Sequence, residues 1–472
     1  MKKQANPADG FARALLVDLD RSAPRTFRRQ LERAIREAIA DGRLEPGAPL
    51  PPSRTLAAEL RLSRSVVVEA YGNLVAAGYL SSRRGSGTRV SSRAAGPAAD
   101  GAPHDVVRRP YTARFQSGLP DPASFPRRVW ERHYRAVLAG LPDSAFTYPD
   151  PQGAIELRRA LASYLGRVRS VTASHDRVLV CNGFAQGLVL VCRALRARGV
   201  EAMAVEDPCF AHHRRLIENA GLAPVPVAVD EDGLRVEDLR ATGAGAVLVA
   251  PAHSYPSGAV LSPERRVALL RWAAATGAVV VEDDYDAEFR YDRAPVAALQ
   301  GLAPDRVVYG GSTSKMLSPL LRLGWLVAPE WLIGALVREK LLDDMASSML
   351  EQLTLARFVD DGALTRHLRR MGPVYRARRE AALRAVAEHL PGAEPAGVPA
   401  GLHLFVRLPE ECDERALVDA ARRRGVRVEG AAVHYADPRS APPALVLGYG
   451  AVSEQTVERG VAAFGEAYRA FV

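Results

Sequence analysis

From about residue 113 onward the chain alternates short apolar runs with stretches of helical periodicity, and this alternation constrains the fold more than any other feature. The runs include Val178-Leu179-Val180, Ala202 to Val205, Ala246 to Val249, Val279-Val280-Val281, Arg306 to Tyr309 and Trp325-Leu326-Val327. Strands that are apolar on both faces, with helices between them, imply an α/β sheet of parallel type. Such a sheet binds ligands beyond the carboxyl ends of its strands, so the residues following each run are the ones to read for chemistry.

After residues 178–180 comes Asn182-Gly183-Phe184-Ala185-Gln186, opening a helix whose first backbone N–H groups suit a phosphate. After 202–205 comes Glu206-Asp207-Pro208-Cys209-Phe210, where Phe210 is placed to stack on a flat ring or to serve as an ordinary packed aromatic. After 279–281 comes Glu282-Asp283-Asp284-Tyr285-Asp286, which reads either as a solvated acidic loop or as a carboxylate and a phenol set beside a heteroaromatic ring. Past the fifth run lies Ser312-Thr313-Ser314-Lys315, with Arg322 seven positions on.

Lys315 gains weight from the rest of the chain. Lys and Arg together number 63, yet only Lys2, Lys3, Lys315 and Lys340 are lysines. A chain that uses Arg almost everywhere has an amine here, and an amine forms a Schiff base with a carbonyl where a guanidinium cannot. With hydroxyls and an arginine suited to a phosphate, and a carboxylate to keep a pyridine nitrogen protonated, the joint pattern is that of a pyridoxal-phosphate (PLP) site. Lys315 would carry the cofactor, Asp283 would face the ring nitrogen and Tyr285 the ring oxygen, and Gly183, Phe184, Ala185, Ser312, Ser314 and Arg322 would hold the phosphate.

The N-terminal part differs in composition. Residues 1–94 hold 17 Lys and Arg against 9 Asp and Glu, a net +8, whereas the remaining 378 residues carry about +1. A basic module on a nearly neutral body is the electrostatic footprint of nucleic-acid binding. Residues 26–42 read as a helix with Phe27, Leu31, Ile35 and Ile39 on one side and Gly42 at its end. Ser53 is expected to cap a short second helix and Ser63 a short third, followed by a two-stranded ribbon from Tyr79 to Val90. Helix, turn, helix, helix, ribbon is a winged helix-turn-helix. The start of its third helix enters the major groove, which points to Arg64 and Ser65, with Arg83, Arg84 and two glycines, Gly85 and Gly87, in the wing.

At 472 residues the chain accommodates two or three domains. We read a DNA-binding module at 21–90, a linker at 91–112 rich in Ala, Gly, Pro and Ser, a large α/β domain from 113, and a smaller α+β domain from about 373 to 472. As a flexible coil the linker would reach roughly 25 Å. No apolar run is long enough for a bilayer, the first residues, MKKQANPADG, lead into polar sequence rather than an apolar signal-peptide core, and the four cysteines (Cys181, Cys192, Cys209, Cys412) form no CxxC pair. These features predict a cytoplasmic protein without structural zinc or other bound metal.

Residues 26–90 resemble the GntR-type winged helix through Ala40 to Gly47, Leu50 to Ala57, Leu62 to Val66, Gly78-Tyr79-Leu80 and Arg84 to Thr88. Residues 113–472 resemble fold-type I aminotransferases, and Phe115 to Asp121, Tyr148 to Gly153 and Glu282 to Tyr291 resemble the MocR/GabR family of bacterial transcription regulators. The resemblance implies a multidomain α/β protein with a PLP-binding aminotransferase-like body. It further implies a homodimer, a double-stranded DNA operator contacted by Ser53, Arg54, Ser63, Arg64 and Ser65 with Arg84, Gly85 and Gly87 in the wing, and an amine or amino-acid-like effector that forms an external aldimine at Lys315. Effector contacts would come from His212, Tyr255 and His434. Two arginines that related members use for an effector carboxylate are missing, one replaced by His212 with Arg214 nearby, the other absent from Val428 to Tyr435. Two other functions stay open: an aminotransferase that turns over and carries an accessory DNA-binding module, and a DNA-binding protein with a cofactor-free body.

Overall fold

The structure is a computed structural model, described here for residues 27–40, 43–83, 87–91, 111–292 and 296–471. Arg84, Gly85, Gly42 and nearly all of the expected linker lie outside the described residues. The chain divides into two compact units, residues 1–108 and 109–472, each taken by itself.

In the first unit, α1 (Phe27–Ala40), α2 (Ser53–Leu60) and α3 (Arg64–Ala76) precede a hairpin of β1 (Leu80–Arg83) and β2 (Gly87–Val90). Leu31, Ile35 and Ala38 of α1 are fully buried against Leu56, Leu60, Val67, Ala70, Leu74, Leu80 and Val90. Phe27 and Ile39 are only half buried. A spacing of four drifts about 40° per repeat on a helix of 3.6 residues per turn, so the ends of the expected stripe leave the core and Ala38 enters it. Two cap expectations need correction. Pro52, not Ser53, occupies the N-cap of α2, with Ser53 as its first residue. Ser63 is at the N-cap of α3, but its hydroxyl meets the Ser65 hydroxyl at 2.9 Å rather than a backbone amide. The third helix, expected to be short, has 13 residues against 8 in the second.

In the second unit the strands are β3 (Val178–Cys181), β4 (Ala202–Asp207), β5 (Ala223–Asp230), β6 (Gly233–Leu234), β7 (Ala246–Val249), β8 (Val279–Asp284), β9 (Val307–Ser312) and β10 (Gly324–Val327), in the order β3-β10-β9-β8-β7-β4-β5-β6. Neighbours from β9 to β5 are parallel. β10 is antiparallel to both β9 and β3, so β3 again runs with the parallel set. Successive residues alternate between two packed faces: Leu179, Val281, Val308 and Leu326 join one core, Val178, Val180, Tyr309 and Trp325 another. The sequence reading did not name β5; its Pro224 and Pro226 depress strand propensity but are tolerated near the sheet edge.

The strands extend past the apolar runs into the chemistry. β8 continues through Glu282, Asp283 and Asp284, all buried, so the acidic run is strand interior rather than a solvated loop. A 27-residue helix, Ala363–His389, runs unbroken through the expected boundary near 373, with Pro373 inside it. Beyond it a four-stranded antiparallel sheet (Glu394–Ala396, His403–Arg407, Ala444–Gly448, Glu429–Gly430) and the helix Glu454–Tyr468 build a separate core.

Candidate functional site

Because β3, β4, β7, β8 and β9 point the same way, the residues that follow them meet along one edge of the sheet, around a cavity of about 350 Å³. Its lining includes Phe184, Ala185, Phe210, His212, Tyr255, Asp283, Tyr285, Ser312, Ser314, Lys315 and Arg322. The volume is that of a small-molecule site. Gly183 borders it: a methyl added there would stand 3.3 Å from the Arg322 guanidinium.

Alternation along β8 separates two roles. Asp283 faces the cavity, whereas Glu282 and Asp284 point away. Glu282 accepts hydrogen bonds from the Leu299 and Gln300 amides (3.0 and 3.1 Å). Asp284 accepts from Arg169 Nε (2.7 Å) and the Tyr309 hydroxyl (2.6 Å), and both members of the Arg169–Asp284 pair are 1% exposed. Burial pushes the Asp283 carboxyl well above the usual carboxylate range, with Lys315 opposing that shift. Burial also pulls Lys315 below the usual lysine range, against the pull of Asp283 and Asp286. A lowered amine pKa raises the fraction of neutral, nucleophilic lysine. Gly118 makes room for this side chain: a methyl there would lie 3.0 Å from Lys315 Cε and 3.1 Å from Nζ.

The anion-binding end is built from turns. Gly183, at φ 82° and ψ 166°, caps the helix Phe184–Arg196, leaving first-turn N–H groups free of helical partners. Ser312 caps Thr313–Met316 and accepts from the Ser314 amide at 3.4 Å. Arg322, in the left-handed region at φ 51°, is oriented by donating from Nη2 to the Asn182 carbonyl at 2.7 Å.

A second layer supports Tyr285. Its hydroxyl lies 3.1 Å from His253 Nδ1, and that same nitrogen lies 3.0 Å from Asp286. The His403 ring is 5.1 Å from His253 and places its Nε2 3.1 Å from the Pro256 carbonyl. His253, Asp286 and His403 together bring their ligand-type atoms within 4.8 Å of one another, the one such group among the described residues. The hydrogen-bond contact ties His253 to Asp286, and we assign the group to orienting Tyr285.

The wall beyond Lys315 is aromatic and imidazole-rich. Phe210 packs edge-on to Tyr255 (5.6 Å) and to His213 (5.2 Å). His213 itself is edge-on to Phe184. The Tyr255 hydroxyl meets the Ser117 hydroxyl at 2.7 Å, and Ser117 donates to Glu429 Oε2 at 3.2 Å. His434 stands behind Tyr255 rather than in the lining, 3.4 Å from its hydroxyl and 3.5 Å from Glu429 Oε1. Arg214 does not shift into the cavity. Its guanidinium is spent on the carbonyls of His434 (2.6 Å) and Tyr435 (2.7 Å).

Every described cofactor residue named from sequence thus meets at one place, and of the three effector residues His212 and Tyr255 line the cavity. Sequence reasoning missed Ser117, Gly118, His213, His253, Asp286, His403 and Glu429. Ser117, Gly118 and Glu429 lie in segments examined for other features, whereas a lone histidine in a strand such as His403 carries no local signal. Lys340, the fourth lysine, is fully buried and paired with Asp344 at 2.5 Å, away from the cavity.

In the first unit Arg54, Ser63, Arg64 and Ser65 are exposed around the start of α3, and Arg64 Nε reaches the half-buried Ser53 hydroxyl at 3.4 Å. Gly87 opens the second ribbon strand at φ 77°, a conformation that favours glycine.

Comparison with known proteins agrees with both units. Residues 27–90 match the bacterial regulatory proteins of the gntR family, and residues 118–464 match aminotransferase class I and II. The chain is 32% identical over 461 residues to PdxR, an HTH-type pyridoxine biosynthesis transcriptional regulator of Corynebacterium glutamicum, covering 96% of this chain and 98% of the relative. It is 30% identical to the probable rhizopine catabolism regulatory protein MocR of Rhizobium meliloti, covering 96% of each. Among solved structures, kynurenine aminotransferase of Pyrococcus horikoshii superposes with a TM-score of 0.71 at 26% identity, over 77% of this chain and 92% of that one. An archaeal alanine:glyoxylate aminotransferase gives 0.71 at 26%, over 76% and 91%. The chain therefore belongs to the aminotransferase class I and II family and, with its gntR-type winged helix, to the MocR-type helix-turn-helix transcriptional regulators.

Proposed function

We propose that this protein is a PLP-dependent, DNA-binding transcription regulator whose aminotransferase-like unit senses a small amine or amino-acid-like effector at Lys315. One observation carries the reading: the Lys315 amine, the Asp283 carboxylate, the Tyr285 hydroxyl and the Arg322 guanidinium border one cavity, in a chain that begins with a winged helix. The residues fit PLP. Asp283 is buried and meets no hydrogen-bond donor among the described residues, and a protonated pyridine nitrogen is the donor it lacks. Gly183 keeps the approach to Arg322 open where a side chain would fill it.

When bound, PLP supplies a carbonyl carbon at which one amine can replace another. The protein's own part is to hold Lys315 in a largely buried position that favours its neutral form, to keep Asp283 against a cationic partner, and to fix Tyr285 through His253 and Asp286. Release of Lys315 by an incoming amine would alter its contacts beside Gly118. An effector shifts DNA binding only by its differential affinity for two arrangements of the protein. His212, Tyr255 and, through Tyr255, His434 are the proposed effector contacts; Ser53, Arg54, Ser63, Arg64 and Ser65, with Arg84, Gly85 and Gly87, are the proposed DNA contacts. DNA binding implies a cytoplasmic location; among the described residues no helix is long and apolar enough to cross a membrane.

A homodimer is part of the proposal. Leu320, close to Arg322, is 85% exposed and Leu342 81%, beside Asp343 and Asp344, which hold Asn182 and Gln186. Exposed apolar side chains beside the phosphate end mark a surface for a second copy. The test is operator DNA retention by the full chain, with and without amines, in wild type and Lys315→Ala. Amine-dependent retention in the wild type alone supports the proposal; equal responses in both proteins refute it. The likeness to aminotransferases keeps a second reading open, steady transamination, which sustained turnover of an amino donor with a keto acid would establish.

A further inference from the structure

We infer that the effector is an aliphatic diamine, whose first amine engages the Lys315 site and whose second, cationic end is received by the Glu429 carboxylate. The inference rests on the amine-sensing reading above and deepens it. An amino-acid effector needs a cation for its carboxylate, and the cavity offers none to spare. Among the described residues lining it, the fixed cations are Lys315, the reacting amine, and Arg322, at the phosphate end against Asn182. Arg214 is consumed by three backbone carbonyls and the Cys209 sulfur.

An anion stands on that side instead. Glu429, paired with Val446 in the small sheet, reaches Ser117 and through it Tyr255, two residues of the cavity wall. Ser117 precedes Gly118, against which Lys315 packs, so one residue and one hydrogen bond separate the carboxylate from the amine's surroundings. Burial pushes the Glu429 carboxyl up, but the hydrogen bonds from His434 and Ser117 outweigh it and hold the group below its usual range, ionised at neutral pH. It stands behind Ser117 and Tyr255 rather than in the lining itself, its side chain keeps 41% exposure, and its two protein partners leave lone pairs for a further donor. Phe210, 41% exposed, and Tyr255 supply the apolar path a methylene chain would follow.

Three probes that share a four-carbon chain isolate the far end: 1,4-diaminobutane (cationic), n-butylamine (neutral) and 4-aminobutyrate (anionic). Each is titrated into the PLP-loaded full chain, read by the visible band and independently by calorimetry. A charge-assisted hydrogen bond at a partly exposed site predicts that diaminobutane binds roughly tenfold or more tightly than butylamine. The same charge makes 4-aminobutyrate the weakest of the three. In Glu429→Gln the ratio of diaminobutane to butylamine falls toward one, which a merely structural glutamate, weakening both alike, would not produce. Equal binding of diaminobutane and butylamine, or preference for 4-aminobutyrate, overturns the diamine assignment and leaves amine sensing intact. If none of the three binds, amine sensing itself falls, and the diamine with it.

Discussion

Gly183→Ala tests the phosphate end of the site more sharply than deletion of a charge. At φ 82° and ψ 166° the residue occupies a region essentially reserved for glycine, and an alanine there costs about 1–3 kcal/mol. The new methyl would also sit 3.3 Å from two guanidinium nitrogens of Arg322, which must yield by a few tenths of an ångström and so lose their alignment with an anion. A lost charge-assisted contact corresponds to about 1.5–3 kcal/mol, or roughly ten- to hundredfold in PLP affinity. Gly199→Ala is the control: φ is 86°, but nothing lies within 4 Å of the added methyl. Both variants should melt earlier than wild type. Only Gly183→Ala should need ten- to hundredfold more PLP in a fluorescence or absorbance titration. Wild-type PLP affinity in Gly183→Ala would refute the assignment of Gly183 and Arg322 to the phosphate.

Other outcomes follow from the same geometry. Arg169→Ala strands the buried Asp284 charge and should cost roughly 3–5 kcal/mol in denaturant unfolding; an effect below 1 kcal/mol would mean that the pair is not isolated from water. Burial holds His403 at a pKa of about 3 against its ordinary 6.5, so the unfolded chain binds the extra proton first. Stability from this group is complete above pH 6.5 and falls by on the order of 1.4 kcal/mol per pH unit from there toward pH 3, a slope that His403→Gln should flatten. Arg64→Ala should weaken operator binding and lower its salt dependence by about one phosphate contact; an unchanged salt slope would remove Arg64 from the DNA contacts.

Much of this architecture is legible in the sequence because each strand end carries its own chemistry. The apolar runs located β3, β4, β7, β8, β9 and β10, and residues after the five that run the same way, β3, β4, β7, β8 and β9, line one cavity. The acidic stretch after Val281 was ambiguous for a physical reason. Three successive carboxylates rarely lie inside a strand, and it takes Arg169, more than a hundred positions away in sequence, together with the Tyr309 hydroxyl to make Asp284 tolerable there. β5 escaped notice because prolines signal a break, and only the sheet order reveals that it lies near an edge. The expected boundary near 373 falls inside a helix that continues through Pro373. His253, Asp286 and His403 come from three separate segments of the unit, so no local pattern announces them. Glu429 lies in a stretch read for a missing arginine; that it reaches Ser117 is a fact of tertiary structure alone.

The central claim is that Lys315 carries PLP. The most direct test is the visible spectrum of the PLP-loaded protein before and after borohydride, followed by peptide mass spectrometry, in wild type and Lys315→Ala. With only four lysines in the chain, the assignment has few competitors. The account predicts a reducible band in the wild type, a reduced pyridoxyl adduct on the peptide containing Lys315, and neither in the variant. A protein that stays colourless with PLP, or an adduct on Lys340 or the N-terminal lysines, would contradict it.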